Sequence, residues 1–291
     1  MKPRGRAQGT LDLVAACHRI LEEIQPATLR AVCYRLLGEG RFVTDMAKIG
    51  HVSKALVEAR ENGEIPLDWI VDETRAPERV STWATAVHVI RSATHCYRRD
   101  LWQSQPLRVE MWAEKGTVRS TLAALLDEYQ VTFRVMHGYA SFTTLKDIAE
   151  ECDDDPRPLI ALYAGDQDPS GRHMSDVDLP QRLAKQGISN IELRRIAVDE
   201  KDLARLRKFA VKAKPTDMRT RGYVARFHSD ACLELDALPP PELRRRVKEA
   251  IVSLINKRRW KEQQRIEAQE QEALERLPEV WDDIISGHDS K

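Results

Sequence analysis

Leu159-Ile160-Ala161-Leu162-Tyr163-Ala164-Gly165-Asp166-Gln167-Asp168-Pro169-Ser170-Gly171 marks the chain as α/β. An apolar run stops at two carboxylates two residues apart, followed by Pro and Gly. Such a run suits a strand covered on both faces, as in parallel sheets. In open α/β sheets, ligands bind in the crevice beyond the carboxyl ends of the strands. Asp166 and Asp168 are therefore candidate site residues. Two hard oxygen donors this close suit Mg²⁺, which keeps several waters and binds through one or two carboxylates plus phosphate oxygens. The plainer alternative is an Asx turn closing the strand, because Asp, Pro, Ser and Gly are ordinary turn residues.

A second acid follows the same pattern upstream. Leu107-Arg108-Val109-Glu110-Met111-Trp112-Ala113 alternates like a strand and ends in Glu114-Lys115-Gly116, after which Thr117 to Tyr129 reads as a helix. A strand over Val131 to Met136 and a helix over about Thr143 to Glu151 fill the interval to Asp166. This β-α-β-α-β succession, with right-handed crossovers, predicts a parallel sheet that brings Glu114 beside the Asp pair.

Trp112-Ala113-Glu114-Lys115-Gly116 and the later Asp166-x-Asp168-Pro169-x-Gly171 resemble the Toprim domain of topoisomerases, bacterial primases and some nucleases. The resemblance implies Glu114 as general acid/base or metal ligand, and Asp166 and Asp168 as ligands of Mg²⁺, for which Mn²⁺ can substitute.

The first third reads as helical. Leu11, Val14, Ala15, Leu21 and Ile24 recur at helical spacing, Pro26 interrupts, and a second helix runs from about Thr28 to Leu37. A third starts near Thr44 or His51 and stops at Asn62-Gly63. Residues Ile65 to Asp72 look β-like, as a wing would be, so a winged helix-turn-helix is expected. Any small three-helix packing would read alike. Arg30 and Tyr34, four apart, share one helix face, where a guanidinium can hold a phosphate beside the phenol and favour the phenolate. The bland alternative is a core tyrosine and a surface ion pair.

This segment ahead of a Toprim-like module resembles the A subunit of type IIB DNA topoisomerases and its relative, the meiotic double-strand-break transesterase. Arg30 and Tyr34 match that family's Arg-x-x-x-Tyr motif, with Cys33 where the family usually has an aromatic residue. Ala59 to Pro66 and His137-Gly138-Tyr139 add weaker likeness, and the resemblance covers roughly residues 10 to 240. It implies a homodimer in which Tyr34 and the metal site come from different subunits, acting on DNA. A separate ATPase subunit would serve strand passage, since the chain has no Gly-x-x-x-x-Gly-Lys-Ser/Thr loop.

With 291 residues, 42% hydrophobic and 32% charged, the chain can bury a substantial core. The expected division is a winged-helix part over residues 1–100, a Toprim-like α/β part over 101–238, and a charged C-terminal helical extension over 239–291. No long apolar run or signal-like leader is present, so a soluble cytoplasmic protein without membrane contact is expected, associated with the nucleoid when bound to DNA. Cys17, Cys33, Cys96, Cys152 and Cys232 lack metal or disulfide spacing and read as free thiols. There is no Gly-x-Ser-x-Gly and no His-Glu-x-x-His.

Net charge is zero, so any attraction to nucleic acid must be local. Between Arg205 and Arg226 stand eight basic residues and one acid, with Phe209, Tyr223 and Phe227 interleaved. Arg205, Arg207, Lys212, Lys214, Arg219 and Arg221, together with Lys115, are candidate DNA contacts; the alternative is a solvated basic face. His173 is placed to touch a phosphate or to sit as a surface histidine. Glu234 and Asp236 repeat the acid spacing as accessory ligands or solvent-facing residues. A long helix from about Glu242 to Leu277 should dock by its first half and project its second.

Three functions remain open: tyrosyl transesterification of DNA, metal-dependent hydrolysis with Tyr34 a bystander, and DNA binding without cleavage.

Overall fold

The computed structural model describes residues 6–40, 46–71, 82–137, 141–278 and 280–281. Gly138 and Tyr139 of the expected Gly-Tyr turn, and Asp72 of the expected wing, lie outside these. Helices α1 (Gln8–Ile24), α2 (Leu29–Gly38), α3 (Met46–Glu61) and α4 (Ala86–Cys96) come first. Strand β1 (Arg108–Ala113), α5 (Arg119–Glu128), β2 (Thr132–Val135), α6 (Phe142–Asp154) and β3 (Leu159–Ala164) follow. Then come α7 (Pro169–His173), α8 (Leu179–Lys185), β4 (Ile191–Ala197), α9 (Glu200–Arg205) and β5 (Val211–Lys212). The chain ends with α10 (Thr220–Phe227), β6 (Ala231–Cys232), α11 (Pro240–Leu254) and α12 (Lys257–Glu275). Two compact units result: Met1–Thr74 with Val109–Ser253, and Arg75–Arg108 with Leu254–Lys291.

In the first unit, α1 buries Val14, Cys17, Ile20, Leu21 and Ile24 against Val32 and Leu36 of α2 and Val52, Leu56 and Ala59 of α3. The Thr28 side chain caps α2 by accepting the Ala31 N–H at 3.3 Å. Gly63, at φ +73°, turns the chain after α3 in a conformation that a side chain would strain. The ribbon expected at residues 65–71 does not form. Pro66 offers no N–H and leads into a 3₁₀ turn at Leu67–Trp69, and Ile70 makes one parallel bridge to Ala27.

The sheet is four-stranded and parallel, in the order β2-β1-β3-β4. All six residues of β3 are buried, as the unbroken apolar run predicts for a central strand. β1 reads as alternating because it carries Glu110, yet it too is buried on both faces. The Glu110 carboxylate accepts from Trp112 Nε1 and Arg134 Nε, both at 2.6 Å. The core between sheet and helices holds Trp112, Leu145, Ile148, Tyr163, Leu179 and Leu183. The connections leave β1 and β3 in opposite directions across the sheet. The crevice between their ends is thus the topological switch point, where such sheets bind ligands.

α7 and α8 are joined by a π-helical segment, Met174–Asp178. α10 falls in the connection between the paired antiparallel strands β5 and β6 and packs Tyr223 on Ala213 and Cys232. α11 buries Leu243, Val247 and Ile251, and its Arg246 holds the buried Asp202 at 2.5 and 2.7 Å.

The single long C-terminal helix expected from the sequence is interrupted at Ile255-Asn256, where Asn256 caps α12 by accepting the Arg259 N–H at 3.2 Å. In the second unit, α12 does not project. It binds the Tyr97–Gln105 segment through polar groups: Arg99 donates to Gln263 at 2.6 Å and to Glu270 at 2.8 Å, and Tyr97 bonds Glu270. Trp102 and Trp260 meet edge to face at 5.4 Å. A helix without an apolar stripe can dock this way because hydrogen bonds, not area, hold it.

All five cysteines are free thiols, four of them buried. Among the described residues no helix is long and apolar enough to cross a membrane.

Candidate functional site

Glu114 and Asp166 stand at the ends of the two central strands. The Glu114 N–H donates to Ala164 O at 2.9 Å, continuing the β1–β3 ladder one residue past β1. The Asp166 N–H then donates to Glu114 Oε2 at 2.8 Å, locking the two turns together. Two glycines make room for that carboxylate. A Cβ on Gly165 would lie 2.8 Å from Glu114 Oε2, and one on Gly171 would lie 2.9 Å from it and 2.7 Å from Asp166 O. Asp168 accepts the Gly171 N–H at 2.7 Å and caps α7. The turn reading of Asp168 therefore holds, without consuming its second oxygen.

A segment far along the chain completes the cluster. Gln167 and Leu233 exchange backbone hydrogen bonds of 2.8 and 2.9 Å, which lays residues 233–236 beside the Asp-x-Asp turn. Leu235 N–H donates to Asp166 Oδ1 at 2.8 Å, while Lys115 Nζ sits 2.6 Å from Asp166 Oδ2 and 3.3 Å from Glu234 Oε2. From α2, Arg30 Nη2 reaches Glu234 Oε2 at 2.9 Å, and Arg30 Nε lies 3.4 Å from Asp236 Oδ2. Tyr34 hydrogen-bonds Glu234 as well.

Tyr34 and Arg30 thus meet Glu234 within one chain, and Lys115 links Glu234 to Asp166. Docking of α2 brings this about: Phe209 lies where a Cβ on Gly38 would be 2.4 Å away, so only glycine lets the ring seat under α2.

Burial, then the Asp166 charge, pushes the Glu114 carboxyl up to about 7. Burial also raises Asp166, against the pull of Lys115 and the Leu235 N–H. Burial and the neighbouring Glu234 push the Tyr34 phenol well above its ordinary range and outweigh Arg30, so the expected phenolate is not favoured at rest. Burial takes the Cys33 thiol up to about 11, which leaves it inert as a nucleophile.

Among the described residues, no three His, Cys, Asp or Glu side chains form a ready metal cage. Lys115 supplies the positive charge between Asp166 and Glu234. Carboxylate oxygens are the donor type that a hard divalent cation takes. Glu114, Asp166 and Asp168 are close enough that both aspartates raise the glutamate, and Mg²⁺ needs only one or two protein carboxylates beside phosphate oxygens.

The basic strip is less uniform than its composition. Arg205 pairs with Asp202 at 3.2 Å, Arg219 with Asp217 at 2.9 Å, and Arg226 with Asp176 at 2.7 Å. Arg207, Lys208, Lys212, Lys214 and Arg221 are exposed. Phe209 and Tyr223 are core residues, so they do not stack bases. His173 lies beside α10 in a pocket wall.

Sequence reasoning left the roles of Glu234 and Asp236 open and did not see that Lys115 neutralises Asp166. The repeated acid spacing at 234 and 236 was the one available signal. No protein-family model matches this chain, and a search of curated proteins finds no match.

Proposed function

We propose that this protein cleaves DNA phosphodiesters with a divalent cation, Mg²⁺ or Mn²⁺, held by Asp166 and Asp168 beside Glu114. We further propose that it is a short relative of the type IIB topoisomerase A subunit, with a winged-helix-like part and a Toprim-like part. The observation that carries this reading is the unbroken chain of ion pairs from Arg30 through Glu234 and Lys115 to Asp166. It ties the helix that bears Tyr34 to the acids at the switch point.

When bound, the cation supplies stabilisation of the charge that develops on the phosphate. Arg30 and Lys115 are the cationic side chains at hand to orient a phosphate oxygen. Glu234 already accepts the Tyr34 hydroxyl, and so receives its proton as the phenolic oxygen bonds phosphorus. Glu114, at the end of the central strand beside the aspartates, donates a proton to the departing 3′-oxygen as the P–O bond breaks. A double-strand cut takes two copies of the chain, and strand passage takes a separate ATPase.

A second reading, hydrolysis by water with Glu114 as the base, is favoured by the seclusion of Tyr34, which is 9% exposed with its phenol pushed upward. Supercoiled DNA incubated with protein and Mg²⁺, stopped with detergent and run with and without protease, separates the two. Protein-linked 5′ ends that disappear with Tyr34→Phe support the transesterase. Free ends that persist with Tyr34→Phe support the hydrolase.

A further inference from the structure

Beside the acids lies a pocket of about 270 Å³, between the start of α7 and the length of α10, that the chemistry above does not use. It begins at Pro169, the residue after Asp168. Its wall is tethered to the acidic turn, because the Tyr223 hydroxyl lies 2.8 Å from Ala231 O and 3.2 Å from Gln167 O and shares its one proton between them. Its volume is near the lower end of small-molecule sites, about 300 Å³.

Its lining combines guanidinium groups with apolar surface. Arg172 and Arg226 lie over the Phe227 ring at 4.9 and 5.0 Å from its centroid. Both pair with Asp176, at 2.8 and 2.7 Å, and Arg219 pairs with Asp217 at 2.9 Å. Three guanidiniums and His173 line the pocket, and the carboxylates of Asp176 and Asp217 stand outside its lining. The Arg172 Nε is buried without a hydrogen-bond partner. Met218 is 97% exposed on the rim, and Gly222 lines the pocket from an exposed position where a Cβ would meet nothing within 4 Å.

An apolar slot walled by guanidinium planes matches a base with its phosphodiester. Unpaired bases are held by stacking on arginine or aromatic planes. A simple anion would leave the apolar surface unused, and a paired base cannot enter a pocket of this size. We propose that the pocket receives one unpaired nucleotide of the DNA strand next to the phosphate to be cleaved. Its base lies against Met218 and the Arg226 guanidinium, and its phosphate lies toward Arg219 and His173. This rests on the proposed action on DNA and names the form of substrate: a strand with an unstacked nucleotide at the cut.

The test is fluorescence anisotropy in EDTA, so that no cleavage intervenes. It compares a single-stranded oligonucleotide with the same length of abasic strand, whose phosphates are unchanged. Stacking of one base predicts at least about fivefold tighter binding of the base-containing strand. Gly222→Leu, which adds a side chain to the pocket lining from an exposed helix position, should remove that advantage and leave the abasic strand's affinity unchanged. Met218→Ala, at a position with almost no packing, should reduce it in the same selective way, and thermal melting checks that both variants fold. Equal affinity for the two strands, or an advantage that survives Gly222→Leu, overturns the inference while the cleavage proposal stands. Failure to bind any DNA, duplex included, overturns both.

Discussion

Glu114→Gln should make the metal-free protein more stable at neutral and alkaline pH, although it removes a group at the centre of the site. Burial and the Asp166 charge hold the Glu114 carboxyl at about 7 against an ordinary 4.5. The folded state thus keeps a proton that the unfolded chain has already released, and stability falls as pH rises between those values. The full penalty is in place above 7. Taken alone, the displacement is worth about 3 kcal/mol. Solvent at the open side of the crevice reduces the expected gain to about 1–3 kcal/mol. The glutamine oxygen can still accept the Asp166 N–H that the carboxylate accepts at 2.8 Å, so the turn is kept. Urea unfolding in EDTA at pH 5 and pH 8, wild type against Glu114→Gln, measures it. The variant should gain at pH 8 and lose most of the gain at pH 5. A variant no more stable than wild type at pH 8, with the same pH dependence, would refute the picture of a carboxylate crowded by acids.

Three further outcomes follow from the same geometry. Asp168→Asn keeps an acceptor for the Gly171 N–H and should preserve folding while Mg²⁺ or Mn²⁺ binding by calorimetry drops sharply; isotherms identical to wild type would remove Asp168 from the metal site. Gly171→Ala puts a methyl 2.7 Å from Asp166 O and 2.9 Å from Glu114 Oε2, where backbone cannot give way. It should cost about 1–3 kcal/mol by thermal unfolding, and a neutral result would contradict the packing described. Replacing Arg219 and Arg221 by Ala should flatten the salt dependence of DNA affinity by about one unit per lost phosphate contact; an unchanged slope would return the strip to a solvated face.

The sheet and its acids were legible because each signal is local. Leu159 to Ala164 is apolar at every position, as a central strand must be, and Asp166 and Asp168 interrupt it where the strand ends. Glu114 shares that grammar, and Thr28 and Gly63 punctuate the helices as caps and stops do. What stayed hidden depends on contacts across long stretches of chain. The place of Glu234 follows from Gln167 pairing with Leu233, and its partner Arg30 lies 204 residues away. No periodicity reports either. The strand reading of residues 65–71 failed because Pro66 and Trp69 are as compatible with a 3₁₀ turn as with a strand. The burial of Phe209 and Tyr223 among the basic residues was not legible, because residue type alone cannot tell an exposed ring from one that fills a core. The docking of α12 escaped a reading based on apolar stripes because Gln263 and Glu270 hold Arg99 through polar bonds.

The most direct measurement of the central claim is the conversion of supercoiled plasmid to nicked or linear DNA by the purified protein in Mg²⁺ and in Mn²⁺. It is run beside EDTA and the folded Asp168→Asn variant. The account predicts cutting by wild type that requires the metal and is lost in the variant. Plasmid left intact by wild type in either metal, or cut equally by Asp168→Asn, would contradict it.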